Sequence, residues 1–71
     1  MMKIRNVADL GAEIRLARKA MGLTQGQLAG ASGVGESFVY NIEHGKETAE
    51  IGKALHVARM AGIDLYIERR G

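Results

Sequence analysis

Residues Thr24 to Gly45, TQGQLAGASGVGESFVYNIEHG, constrain the fold of this chain more than any other stretch. Glycine at position 33 interrupts two short apolar patterns. The first opens on Thr24-Gln25 and carries Leu28 and Ala29; the second carries Val34, Val39 and Ile42 and stops at Glu43-His44-Gly45. A short helix, a glycine turn and a second short helix form a helix-turn-helix, a shape whose second helix enters a DNA major groove.

The rest of the chain limits what that motif is built into. Seventy-one residues make a single domain, spanning 1–71, and a domain near this size buries only roughly 60% of its unfolded surface. Small domains draw extra stability from disulfides, metals or association. The chain has no cysteine, which excludes disulfides and thiolate metal sites. His44 and His56 have no partner at metal-ligand spacing, so no metal is expected, and association is the remaining route. No apolar run approaches the length of a bilayer span, and no hydrophobic block follows a basic start. A soluble, cytoplasmic protein is therefore expected, without a membrane partner. The net charge is +2. Up to Lys46, Lys3, Arg5, Arg15, Arg18, Lys19 and Lys46 outnumber Asp9, Glu13, Glu36 and Glu43, whereas the acids and bases beyond it balance. The excess positive charge falls in the part that holds the motif, as expected for a nucleic-acid partner.

Three further elements are expected around the motif. A helix from Val7 to Met21 starts on Asn6 as N-cap, presents Leu10, Ile14, Ala17 and Met21 on one face, and ends at Gly22. Within the motif, Thr24 caps the second helix, and the third runs from Gly35 to His44. A fourth runs from Thr48, as cap, to Ala61, with Gly62 as stop. Its expected inner face is Ile51, Ala54, Leu55, Ala58 and Ala61, leaving Val57 and Met60 outside it. After Gly62 the period changes to two: Ile63, Leu65 and Ile67 alternate with Asp64, Tyr66 and Glu68. That reads as a half-buried strand over 63–69. A lone strand leaves its backbone groups unpaired, and its simplest partner is the same strand of a second copy. Ile63, Leu65, Tyr66 and Ile67 are the expected dimerisation residues, and residues 1–5 form an arm or a weaker strand.

Thr24-Gln25, Leu28-Ala29, Gly33-Val34, Val39, Ile42-Glu43 and Gly45 together resemble the Xre (Cro/CI) helix-turn-helix family of phage repressors and bacterial regulators. ADLGAEIRLARKAMGLTQ and GIDLYIERR at the two ends resemble the HipB-like antitoxins within it. The resemblance implies an all-α, lambda repressor-like domain of four to five helices with a short C-terminal β-strand pairing across a homodimer. It also implies a repressor of its own operon that binds a palindromic double-stranded operator and a HipA-type kinase toxin. Gly35 departs from the pattern, standing where the family usually has a capping Ser or Thr. Gly26 and Gly30 lie inside the second helix, where each costs up to about 1 kcal/mol against alanine.

On a helical wheel, Val34, Phe38, Val39 and Ile42 share one side of the third helix, with Glu36, Ser37, Tyr40 and His44 opposite and Asn41 on the flank. The base-reading positions of the family fall on Gly35, Glu36, Ser37, Tyr40 and Asn41. Glu36 suits cytosine N4, Asn41 adenine, Tyr40 a thymine methyl or a phosphate, and Ser37 a base edge or a phosphate. Phosphate contacts are expected from the amides at the start of the second helix with Gln25, and from Lys46. The resemblance pairs Arg18 with Glu43 as a structural ion pair. Ser32 with either histidine makes no triad, and no glycine pattern matches a nucleotide loop. No enzyme activity, cofactor or small-molecule substrate is expected. Two other readings stand beside the antitoxin: a free-standing Xre-type regulator, and an interaction module that no longer reads DNA, favoured by the acidic Glu36 and the lack of outward Arg or Lys on the third helix.

Overall fold

The computed structural model describes residues 2–71 and contains four helices: α1 Val7–Ala20, α2 Gln25–Ser32, α3 Glu36–Glu43 and α4 Ile51–Met60. α1 packs on α3, and α2 packs on both α3 and α4. The core they enclose is Leu10, Ile14, Leu28, Ala29, Val39, Ile42, Ala54, Val57, Ala58 and Ala61.

Local chemistry sets the helix ends. The Asn6 side chain accepts from the Asp9 amide at 2.8 Å and starts α1. Thr24 and Gln27 form a reciprocal capping box at the start of α2: Thr24 Oγ1 accepts from the Gln27 amide at 3.1 Å, and Gln27 Oε1 accepts from the Thr24 amide at 2.9 Å. Gly33, at φ +70°, turns the chain out of α2, a left-handed conformation that side chains resist.

Four features differ from the sequence-based expectation. α4 begins at Ile51 after Glu50, with no side-chain cap, because Thr48 is taken up in the turn that the Ala49 amide closes on the Lys46 carbonyl at 3.1 Å. The inner face of α4 is Ala54, Val57, Ala58 and Ala61. Val57 is fully buried, while Ile51 is 67% exposed and Leu55 lies at the exposed edge. The phase of the buried stripe follows contact with α2 rather than the most apolar residues. On α1 the inner face is Leu10, Gly11, Ile14 and Arg18, and Met21 is exposed. Fourth, no strand is present among the described residues. Ile63 rests against the core, its amide bonded to the Ala58 carbonyl at 3.0 Å. Beyond it Leu65, Tyr66 and Ile67 are exposed, Ile67 to 94%. A strand exists only through its ladder, and among the described residues no backbone ladder forms along residues 63–69. Residues Met2 to Arg5 line an open cleft with this tail; Met1 of the expected arm lies outside the described residues.

Two glycines on the helices behave oppositely. Gly11 is buried where α1 crosses α3, and a Cβ there would land on the Ile42 carbonyl oxygen. Gly30, on the outer side of α2, has nothing within 4 Å of where its Cβ would lie. Gly30→Ala should therefore raise stability by about 0.5–1 kcal/mol, the ordinary helix-propensity gain. A urea titration that finds no gain, or a loss, contradicts this.

Candidate nucleic-acid interface

α3 owes its orientation to Val39 and Ile42, both buried, with Val34 and Phe38 packed at the edge of the core. The 3.6-residue period then turns the other side of the helix outward. Glu36, Ser37, Tyr40 and His44 are exposed there, with Asn41 half-buried at the flank. Gly35, exposed, provides the N-cap position without a side-chain bond. Lys46 follows the Gly45 turn, is exposed, and ties back through its amide to the Asn41 carbonyl at 3.0 Å. The chain thus brings Gly35, Glu36, Ser37, Tyr40, Asn41 and Lys46 onto or beside one helix.

The start of α2 adjoins this face. Its capping box uses the amides of Thr24 and Gln27, and the Gln25 and Gly26 amides have no acceptor among the described residues. Free amides at a helix start attract anions, phosphate among them. Glu36 lies close by: its Oε1 sits 3.1 Å from where a Gly26 Cβ would be. Gly26 makes room for that carboxylate, which leans over the first turn of α2 rather than straight outward. A carboxylate there opposes an incoming phosphate unless it swings toward a base.

Gln25 has a second engagement. Its Nε2 donates to Glu43 Oε1 at 3.1 Å. Only one of its two amide hydrogens is used in this way, so the other remains for an external acceptor. Glu43 is the centre of a buried network. Arg18 Nε donates to Glu43 Oε2 at 2.7 Å and Nη2 to Oε1 at 3.0 Å, a bidentate fork. Arg18 Nη1 also donates to the Leu23 carbonyl at 2.9 Å. The fork joins α1 to the end of α3, and Nη1 ties it to the segment entering α2. The Glu43 side chain is fully buried. Burial pushes its carboxyl up, but hydrogen bonds from Arg18 and Gln25, with the charges of Arg18 and Arg15, outweigh burial and hold it below the usual carboxylate range. The hydrogen bond to Glu43 raises Arg18 against the opposing effect of burial.

Two features escaped the reading of the sequence. His44 packs on Tyr40, with ring centroids 4.0 Å apart and planes 25° from parallel. The i, i+4 spacing of two rings on one helix face was the available signal. Gly11 was the other, a glycine among the inward positions of a helix. Among the described residues no cluster of His, Cys, Asp or Glu is arranged to hold a metal, and no helix is long and apolar enough to cross a membrane.

These helices define a helix-turn-helix domain whose second motif helix presents a polar face outward. The family model for a helix-turn-helix domain matches residues 9–65. The uncharacterized HTH-type transcriptional regulator y4mF of Sinorhizobium fredii is 45% identical over 65 residues, covering 92% of this chain and 86% of that protein. The chain belongs to the helix-turn-helix domain family, whose members are DNA-binding transcriptional regulators and not enzymes. In fold it is similar to HipB in the HipB-O4 20mer complex, with a TM-score of 0.87 and 18% identity over 100% of both chains. It is similar also to a chain of the HipA-HipB-O2-O3 complex, with a TM-score of 0.88, 18% identity and the same coverage.

Proposed function

We propose that the protein is a sequence-specific DNA-binding repressor that works as a homodimer, regulates its own operon and acts as the antitoxin of a HipA-type kinase toxin. The DNA part rests on one observation: the polar outward face of α3 lies beside the two uncommitted amides at the start of α2. Glu36, Ser37, Tyr40 and Asn41 are the proposed base readers, with Gly35 allowing close approach, and Gln25 and Lys46 holding phosphates. A gel shift on the DNA upstream of the gene, at two salt concentrations, tests this. Binding should weaken steeply with salt as several phosphates per dimer are neutralised. Absent binding at low salt overturns it in favour of an interaction module.

The dimer reading is supported by the exposed, unpartnered tail of Leu65, Tyr66 and Ile67, which we assign with Ile63 to a strand paired across two copies. Deleting residues 64–71 should give a monomer that binds DNA poorly; a truncated protein that sediments as a dimer contradicts it. Operator half-sites should then lie about 34–36 Å apart or a multiple of that.

The antitoxin reading is supported by likeness to HipB over the whole chain, tail included. Val57, fully buried, is not available to a partner, whereas Leu16, 60% exposed on α1, is. The second reading, a regulator without a toxin, is favoured by the relationship to y4mF, named only as a transcriptional regulator. Co-purification with a kinase encoded beside the gene separates the two.

A further inference from the structure

His44 closes α3 with its ring stacked on Tyr40, and its Nδ1 lies 2.7 Å from the Tyr40 carbonyl oxygen. A carbonyl oxygen only accepts, so Nδ1 must carry a hydrogen for this contact to be a bond. The backbone thereby fixes the tautomer. Neutral His44 has only a lone pair at Nε2, on the opposite edge of an exposed ring, and becomes a donor there only when protonated. The ring borders a cleft lined also by Arg15, Arg18, Gln25 and Glu43, reaching the start of α2 where the free amides lie.

The charged and titratable groups facing it are few. α1 supplies Arg15 and Arg18, α2 supplies only the neutral Gln25, and α3 supplies Tyr40 and Glu43. Arg18 and Glu43 satisfy each other. Arg15 is exposed and forms no ion pair among the described residues. Beside Ala12 and the exposed Leu16, the cleft lining therefore leaves Arg15, one hydrogen of Gln25 and the His44 ring as its uncommitted polar groups, a set suited to a phosphodiester oxygen.

We infer that His44 is a DNA-backbone ligand that takes up a proton from solvent when DNA binds. This rests on the DNA-binding reading above. Neutral His44 presents a lone pair to a phosphate oxygen and repels it; protonated His44 presents Nε2–H and holds it. DNA affinity then rises as pH falls, because His44 is a donor at Nε2 only in its protonated form. The limit set by linkage is about tenfold per pH unit for each protomer engaged.

The test uses the full chain and a random-sequence 20-base-pair duplex at low, constant ionic strength, because phosphate contacts need no operator. The dissociation constant is measured from about pH 5.5 to 8.5. Wild type should weaken with rising pH, and calorimetry in buffers of different ionisation enthalpy should show proton uptake. His44→Gln, whose side-chain amide keeps a donor at every pH, should flatten the profile and abolish the uptake, as should His44→Ala with weaker binding. His56→Gln should leave both unchanged. Binding without pH dependence, or dependence retained by His44→Gln, overturns the inference while the DNA-binding reading stands. Absence of binding at every pH overturns both.

Discussion

Gly11→Ala should leave the protein largely unfolded, with a loss at or beyond the upper end of the about 1–3 kcal/mol typical of overpacking. The reason lies in what a methyl group would meet. Its Cβ falls on the Ile42 carbonyl oxygen and lies 3.0 Å from Glu43 Cα. Both are backbone atoms, and no rotamer change removes them. α1 has to back away from α3, which opens the packing of Leu10 and Ile14 against Val39 and Ile42. The small core offers no reserve, since a domain near this size is only marginally stable. Urea unfolding followed by circular dichroism measures the effect. A Gly11→Ala protein with wild-type stability contradicts the close approach of the two helices. Gly30→Ala, the same substitution on the open side of α2, serves as its control.

Glu43→Ala should lose folding and DNA binding together. It strands the guanidinium of Arg18, a residue only 7% exposed, with one remaining bond to the Leu23 carbonyl, and it also removes the acceptor of Gln25. Removing one partner of a buried pair costs on the order of 3–5 kcal/mol. A Glu43→Ala protein that melts at the wild-type temperature would sink this. Acid should act in the same direction. The Glu43 carboxyl is held below its ordinary range in the folded protein, so its stabilisation is present in full above that range, about pH 4.3. It is lost as pH falls through the lower, folded value. The opposite shift of Arg18 has no consequence at accessible pH, because a guanidinium stays charged. Stability should therefore decline more steeply below about pH 4.3 in wild type than in Glu43→Gln, as measured by melting temperature against pH.

The parts of the fold read correctly from sequence are those fixed by local chemistry. The Thr24 cap and the turn at Gly33 act within a few residues, and they place α2 and α3 closely. The outward set of α3 follows from the buried positions of Val39 and Ile42. The start of α4 was not legible at Thr48, because whether a Ser or Thr caps a helix depends on whether the chain is still turning there. Nor was its inner face: Ile51 and Leu55 are more hydrophobic than Ala54 and Ala58, yet contact with α2 selects the alanines and Val57. The joining of Arg18 to Glu43 spans 25 residues, and only the family pattern pointed to it. For the candidate interface, residue types were legible but their engagements were not. Gln25 is half committed to Glu43, and Glu36 leans over Gly26. The strand expected over 63–69 is absent among the described residues, because an alternating pattern becomes a strand only with a ladder beside it.

α2 has a distinct kinetic character. It is eight residues long, two of them glycines with low helix propensity. Ser32 at its end buries a hydroxyl that has no hydrogen-bond partner among the described residues, which further weakens its hold. Leu28, Ala29 and the capping box keep it in place. We expect this segment to open at a lower free energy than α1; each opening would withdraw the two free amides and release Gln25 from Glu43. A polyanion that binds only the closed form slows that breathing by mass action. The amide protons of Leu28 and Ala29 should thus act as a clock: rapid solvent exchange in the free protein, and exchange retarded in proportion to occupancy once DNA is held.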